Sequence, residues 1–382
     1  MPWQECSTMT LRQEFLTLAQ QPGVSFSQLC QRFGISRKTG YKWRRRYREK
    51  GVTGLADLSR RPQHSPTRSE PVIEEQVLAI RDRYGWGARK IKACLERAGD
   101  GPLAKSTVHS ILLRHGRVTN APENTVGAYQ RFEKERPNQL WQMDFKGHFR
   151  LGNHERCHPL TVLDDHSRYS LCLEACPNEQ TATVQHRLTA AFRRYGLPER
   201  MLMDNGPPWG NDLEHQFTPL TVWLLRLGIA VTHGRPYHPQ TQGKEERFHR
   251  TLKVEVLAQR VFGDFEHMQC RFEEWRYCYN HVRPHEALDM QVPASRYQPS
   301  PRYFPEKLPP IEYGTTDQLR KVQPDGKISF RRREFHVGKA FFGYHVALRP
   351  STVDGVYDVY FATHRIARLD LPQPSNRSVA DH

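Results

Sequence analysis

The chain has 382 residues, a net charge of +16 and a mean hydropathy of −0.75, which suits roughly two to four soluble domains. No apolar run reaches the roughly 18 residues needed to span a bilayer, and the opening MPWQECSTMT lacks the basic-then-apolar order of a signal peptide, so a membrane-spanning or exported protein is not expected and a cytoplasmic, nucleoid-associated bacterial one is. Residues 1–120 hold 22 Lys and Arg against 10 Asp and Glu, and so clustered a positive charge points to a polyanionic partner unless it is only a solubilising surface.

Residues 24–50 read VSFSQLCQRFGISRKTGYKWRRRYREK. Ser27 is placed to cap a short helix carrying Leu29, Cys30 and Phe33. Gly34 permits a tight turn, and Ser36 caps a second helix running to about Lys50. A short helix, a glycine turn and a basic helix make the helix-turn-helix layout, whose second helix enters the DNA major groove. Arg37, Lys38 and Lys42 are expected to face DNA. Arg44, Arg45 and Arg46 cover several faces and suit phosphates, while Trp43 and Tyr47 pack inward. Gly40 is out of place in this helix, costing about 1 kcal/mol against Ala. The first DNA-binding domain is taken as residues 1–55.

After a Gly-, Pro-, Ser- and Arg-rich stretch, residues 66–117 form a second helical unit. Its first helix runs from Val72 to Tyr84. A second ends at Gly99, and a third is capped by Ser106 with Val108, Ile111 and Leu112 inward. It reads as a second helix-turn-helix, with Lys105 toward DNA, or as a helical spacer. Residues 118–136 lose periodicity and form a linker.

From residue 137 the pattern becomes strand-like: LWQMDFKGHFRL, CHPLTVLDD and RYSLCLEAC, separated by turns. A helix over 181–195 follows, then the short run RMLMDN, a helix over 219–227, the strand IAVTHGRPY and the helix GKEERFHRTLKVEVLAQ. Strands first, then alternating strand and helix, predict a mixed-sheet α/β core over 137–300. Residues 318–382 carry hairpin signals at Asp325-Gly326 and Asp354-Gly355 and predict a small β-barrel; Arg331, Arg332 and Arg333 on it either touch DNA or are simply solvated. The eight cysteines include no CxxC pair and no His/Cys partners at finger spacing, so reduced thiols and no zinc are expected.

Three acidic residues stand out by position. Asp144 lies in the first strand, Asp204 ends a short strand before Asn205-Gly206, and Glu246 lies in the first turns of a helix. Ligands bind at the C-terminal edge of α/β sheets. At about 100° per residue, Glu246 stands about 200° from the apolar Phe248, on the face of Arg250 and Lys253, whereas Glu245 stands about 60° from Phe248 and is the poorer choice. Asp164 and Asp165 compete as ligands but read as ordinary turn residues. Carboxylates gathered at a sheet edge suit Mg²⁺, a hard cation that takes oxygen ligands. Two such ions about 4 Å apart can activate a water and stabilise a leaving 3′ oxygen.

The strings PNQLWQMDFKG (137–147), DNG (204–206), RPYHPQTQGKEERFHRTLK (235–253) and YNHVRPHEAL (279–288) together resemble the DDE transposases of bacterial insertion sequences, relatives of retroviral integrases. The resemblance covers nearly the whole chain. It implies a multidomain protein: all-α helix-turn-helix units, an RNase H-like core and a C-terminal β domain. It implies two divalent ions, Mg²⁺ with Mn²⁺ able to substitute, held by Asp144 (the WxxD position), Asp204 (DNG) and Glu246 (GxxE). Arg250 and Lys253 fall on basic positions that meet DNA. It further implies cleavage at element ends, attack of the freed 3′-OH on target DNA, and a homo-oligomer on double-stranded DNA. The 41 residues between Asp204 and Glu246 exceed the usual spacing, the excess falling in the loop at 207–218. A non-catalytic DNA-binding regulator built on the same scaffold is the alternative.

Overall fold

The structure, a computed structural model, describes residues 7–58, 69–99, 101–118, 133–210, 217–234, 243–259 and 261–371. The expected linker and the strings at 211–216 and 235–242 therefore fall largely or wholly outside the described residues. The chain divides into two compact units, residues 1–68 and 69–382.

In the first unit, α1 (Thr8–Leu18), α2 (Phe26–Arg32) and α3 (Arg37–Lys50) close around Phe15, Leu16, Leu29, Cys30, Trp43 and Leu55. The sequence pattern missed α1, which opens on Ser7, whose hydroxyl accepts from the Thr10 N–H at 3.1 Å. Ser27 is not the cap of α2. That helix starts at Phe26 with Ser25 before it, and the Phe26 ring meets Phe15 edge-on at 5.7 Å. Ser36 does cap α3, accepting from the Thr39 N–H at 3.2 Å, and Gly34 takes the turn at φ +63°. The misfit of Gly40 has a tertiary cause. A Cβ there would lie 2.8 Å from Cys30 Sγ and 3.1 Å from the rings of Phe15 and Phe26, so only glycine lets α3 approach this closely.

The second unit begins with α4 (Pro71–Tyr84), α5 (Ala88–Ala98) and α6 (Lys105–Arg114), packed around Val77, Trp86, Ile91, Leu95, Val108, Ile111 and Leu112. Ser106 falls inside the first turn of α6; the cap position is Ala104, with no side-chain bond. Buried Glu74 of α4 ties down the end of α6 by pairing with Arg114 and with His115 at 3.0 Å.

The central sheet contains β1 (Trp141–Phe145), β2 (Phe149–Arg150), β3 (Arg156–Asp164), β4 (Ser170–Cys176), β5 (Arg200–Met203) and β6 (Ala230–His233). Its order is β2-β3-β1-β5-β6, with β4 on β3. The hairpin strands pair antiparallel, and β1-β5 and β5-β6 pair parallel, giving the mixed sheet that the strand-helix alternation predicts. Side chains alternate across the sheet. Trp141, Met143, Leu160 and Val162 pack with α7 (Thr181–Tyr195) and α8 (Pro219–Arg226), while Leu163, Leu173 and Ala175 pack with α9 (Gly243–Glu255) and α10 (Phe265–His281). The sequence pattern also missed α10, which Asp264 caps by accepting from the His267 N–H at 2.8 Å.

The last region holds β7 (Gln318–Lys321), β8 (Lys327–Phe330), β9 (Arg333–His336), β10 (His345–Pro350), β11 (Val356–Phe361) and β12 (His364–Asp370). They stand as a four-stranded antiparallel sheet, β12-β11-β10-β7, and a separate β8-β9 hairpin around one core, rather than as one closed ring of strands.

Candidate active site

Parallel pairing of β1 and β5 sets Gln142 opposite Leu202. Two residues further on, the same register brings Asp144 beside Asp204 at the C-terminal ends of adjacent strands. Each aspartate accepts the next backbone N–H, Asp144 from Phe145 at 2.8 Å and Asp204 from Asn205 at 2.7 Å. The turn after Asp204 is anchored to the end of β6. Asn205 Nδ2 donates to the Gly234 carbonyl, and His233 Nδ1 donates to that of Asp204 at 2.9 Å. Asp204 is exposed and Asp144 half-buried. Burial pushes the Asp144 carboxyl up to about 6, and the charges of Asp204 and Glu179 push the same way, against the Phe145 N–H.

Asp144 shares its side of the sheet with α9. That helix buries Glu245, Phe248, His249 and Leu252 and exposes Glu246, Arg247, Arg250 and Lys253, the division of faces that the spacing predicts. Phe248 seats the helix, edge-on to Trp275 at 5.3 Å and Tyr279 at 4.9 Å. Lys244 pins the first turn by donating to the Asp165 carbonyl at 3.0 Å and pairing with its carboxylate; burial and then Arg168 pull this lysine down to about 8.

A polar cluster occupies the joint between strand and helix. Thr161 of β3, directly opposite Asp144 in register, has its hydroxyl 2.9 Å from the Asp144 carbonyl, 3.0 Å from Glu245 Oε2 and 2.9 Å from His249 Nε2. Glu245 is 1% exposed; burial, then the Asp144 charge, raises its carboxyl well above the usual range. Burial, then Lys146, lowers His249 to about 3, so the ring is neutral. Thr161 and His249 were not read from the sequence, and Glu245 only as the poorer ligand on the apolar side. The available signal was the i, i+4 pair Glu245–His249, two polar groups on the side of the helix meant for apolar ones.

Asp164 and Asp165 are fully buried, not ordinary turn residues. Asp164 accepts from Ser167 N–H and O–H and from the Asn138 N–H. Asp165 accepts from the Lys134 N–H, Gln142 Nε2 and Lys244. They brace the opposite end of β1, where Asp164 pairs with Trp141.

Among the described residues, no three acidic, histidine or cysteine side chains converge tightly enough to cage an ion. Asp144 and Asp204 come together, and Glu246 stands on the exposed first turn of the helix packed against β1. The donor chemistry fits a hard divalent cation: two carboxylates at the same ends of neighbouring strands, where burial and then the Asp204 charge raise the proton affinity of Asp144.

Of the residues expected to meet DNA, Arg37, Lys38, Lys42, Arg44 and Arg45 are exposed along α3, Lys105 at the start of α6, and Arg250 and Lys253 along α9. Arg46 is placed otherwise. Its guanidinium donates to the Ala56 carbonyl at 2.6 Å and lies 4.8 Å over the Trp43 ring, so it holds the first unit together.

Comparison with known proteins agrees with this architecture. Residues 11–63 match a helix-turn-helix domain and 39–112 a homeodomain-like domain. Residues 134–239 and 227–293 match integrase core domains, and 317–377 match the C-terminal domain of IS481 family transposases. The chain is 26% identical to an uncharacterised 31.7 kDa protein of insertion element IS407 from Burkholderia multivorans, over 64% of this chain and 89% of that one. It is also 26% identical to the transposase of transposon Tn552 from Staphylococcus aureus, over 62% of this chain but only 53% of that relative, about half its length. The HTLV-2 integrase catalytic core, solved with magnesium, aligns at 13% identity over 43% of this chain and 99% of its own, with a TM-score of 0.33, too slight a likeness to bear on the site. An integrase core behind helix-turn-helix domains supports a polynucleotidyl transferase kind of enzyme. The chain is thus similar to the DDE transposases of insertion sequences, with helix-turn-helix domains ahead of the core, a makeup that supports DNA transposition in general. Among the described residues, no helix is long and apolar enough to cross a membrane.

Proposed function

We propose that this transposase cuts DNA at the ends of an insertion sequence and joins the freed 3′-OH to target DNA, with Asp144, Asp204 and Glu246 as the metal-binding carboxylates. The observation that carries this reading is the parallel register of β1 and β5, which runs Asp144 and Asp204 out at the same ends of neighbouring strands, beside the helix that carries Glu246. Two Mg²⁺ ions, or Mn²⁺ in their place, would supply Lewis-acid activation of the attacking oxygen and charge neutralisation at the leaving one.

In cleavage, water adds to a phosphorus, the bond to the 3′ oxygen breaks, and the strand leaves as a 3′-OH. In joining, that hydroxyl attacks a target phosphodiester, so one P–O bond forms as another breaks and no outside energy source is needed. Asp144, ionised at neutral pH, would be one of the ligands. Arg250 and Lys253, one and two turns past Glu246, hold the DNA backbone beside the site. Arg37, Lys38 and Lys42 read the element ends, Arg44 and Arg45 hold phosphates, and Lys105 contributes from the second helical unit. We read residues 1–55 and 66–117 as the recognition units, 137–300 as the catalytic core and 318–382 as a C-terminal β domain. Joining two ends calls for at least two copies of the chain on DNA.

The test is a strand-transfer assay in Mg²⁺ with duplexes carrying the element ends, wild type beside Glu246→Gln. Joined product from wild type alone is expected. End binding without product from either protein would favour the non-catalytic regulator.

A further inference from the structure

We propose that Thr161, with Glu245 and His249, is a positioning clamp that fixes the backbone of Asp144 against α9 and thereby sets the spacing of the carboxylate site. The inference rests on the reading of Asp144 and Glu246 as metal ligands given above.

Thr161 is fully buried, and its hydroxyl lies within hydrogen-bond distance of three groups on two elements: the Asp144 carbonyl of β1, and Glu245 and His249 of α9. A hydroxyl has one hydrogen to give and two lone pairs to receive; the Asp144 carbonyl can only accept and takes that hydrogen, so the three contacts are filled only if Glu245 and His249 both donate to the threonine oxygen. The arrangement thus runs from the helix to Thr161 and from Thr161 to Asp144.

It is also costly as packing. A carboxyl and an imidazole occupy the inward side of a helix, where apolar groups would bury without penalty, and Glu245 Oε1 is buried with no hydrogen-bond partner among the described residues. Fold stability alone does not call for these groups. They flank the two proposed ligands instead. Glu245 adjoins Glu246, Thr161 holds Asp144 by its carbonyl, and His249 Nδ1 lies 3.9 Å from Asp144 Oδ2. Groups that orient metal ligands in this way typically change metal affinity by roughly 10- to 100-fold when removed.

The experiment measures Mn²⁺ affinity of the full chain without DNA, from the electron paramagnetic resonance of free Mn²⁺, together with metal-free thermal melting. Thr161→Val keeps the volume and loses the hydroxyl; Thr161→Ser keeps the hydroxyl and loses a buried methyl. Expected is Mn²⁺ binding weakened by roughly tenfold or more in Thr161→Val and close to wild type in Thr161→Ser, although the serine variant melts lower. Wild-type affinity in Thr161→Val, or equal losses in both variants, overturns the clamp. Asp144→Asn separates the two levels. If it loses Mn²⁺ while Thr161→Val does not, the clamp falls and the site stands; if it binds Mn²⁺ normally, the site falls and the clamp with it. Should Thr161→Val fail to fold, His249→Asn removes one arm from the helix side: weaker Mn²⁺ binding supports the clamp and unchanged binding overturns it.

Discussion

Helices α3 and α9 each turn a row of cations to solvent, yet their buried sides are opposite in character. The inward side of α3 is Gly40 and Trp43, closed over Cys30, Phe15 and Phe26 by shape, with the directional bond from Arg46 to the Ala56 carbonyl made at its edge. The inward side of α9 mixes Phe248 and Leu252 with Glu245 and His249. On the proposed reading, the inward side of the helix presented to DNA is held by fit, and that of the helix that carries a ligand toward a neighbouring strand by directional bonds as well, because apolar contact fixes distance loosely and hydrogen bonds fix it along an axis.

The largest effect expected from this contrast is at Gly40. Gly40→Val puts a branched side chain into a gap that a single Cβ already overfills, and a loss of about 3 kcal/mol in the first unit is expected from urea unfolding. The loss shrinks in a Cys30→Ala background, which makes room at the closest contact. An undiminished loss in the double variant would assign the cost to the backbone and break the contrast.

A smaller effect of opposite sign is expected at Glu245. Its raised pKa means that the folded protein keeps a proton that the unfolded chain releases above about the ordinary 4.5. Wild-type stability without metal therefore falls as pH rises through that value. Glu245→Leu removes this penalty and should stabilise the metal-free protein by about 1 kcal/mol at neutral pH, with the gain vanishing in acid. Destabilisation at neutral pH would show that the polar side of α9 serves the fold after all.

The smallest effect separates outward cations from inward ones. Arg250→Ala and Lys253→Ala should each lower the salt dependence of DNA binding by about one phosphate contact. Arg46→Ala should leave that slope unchanged while destabilising the first unit. A flattened slope in Arg46→Ala would return that arginine to the DNA interface.

What was legible in the sequence follows the range of the forces involved. Face assignment is local, so the exposure of Glu246, Arg250 and Lys253 and the burial of Glu245 could be read from helical spacing. The cap Ser36 could be read too, because its bond spans three residues. Ser27 and Ser106 misled for the converse reason: the starts of α2 and α6 are set by what Phe26 and the Val108–Leu112 row pack against. Gly40 looked like a fault until Cys30 and two rings explained it. Thr161 gave no signal, since an alternating strand residue acquires partners 84 and 88 positions away only once the sheet and helix meet. Asp164 and Asp165 looked like turn residues because a buried carboxylate and a solvated one are the same letters.

The antiparallel register that sets Asp144 opposite Thr161 also has a genetic consequence. Strand residues alternate faces, so one codon gained or lost within 141–145 would carry Asp144 to the opposite side of the sheet and bring an aromatic or a methionine in its place. Such a lesion also turns Trp141 and Met143 out of the core and, on the reading of Asp144 as a metal ligand, would silence a mobile element in one step. Length changes compatible with activity should therefore gather in the turns, and a survey of in-frame insertions across this hairpin would show tolerance between the strands and none within them.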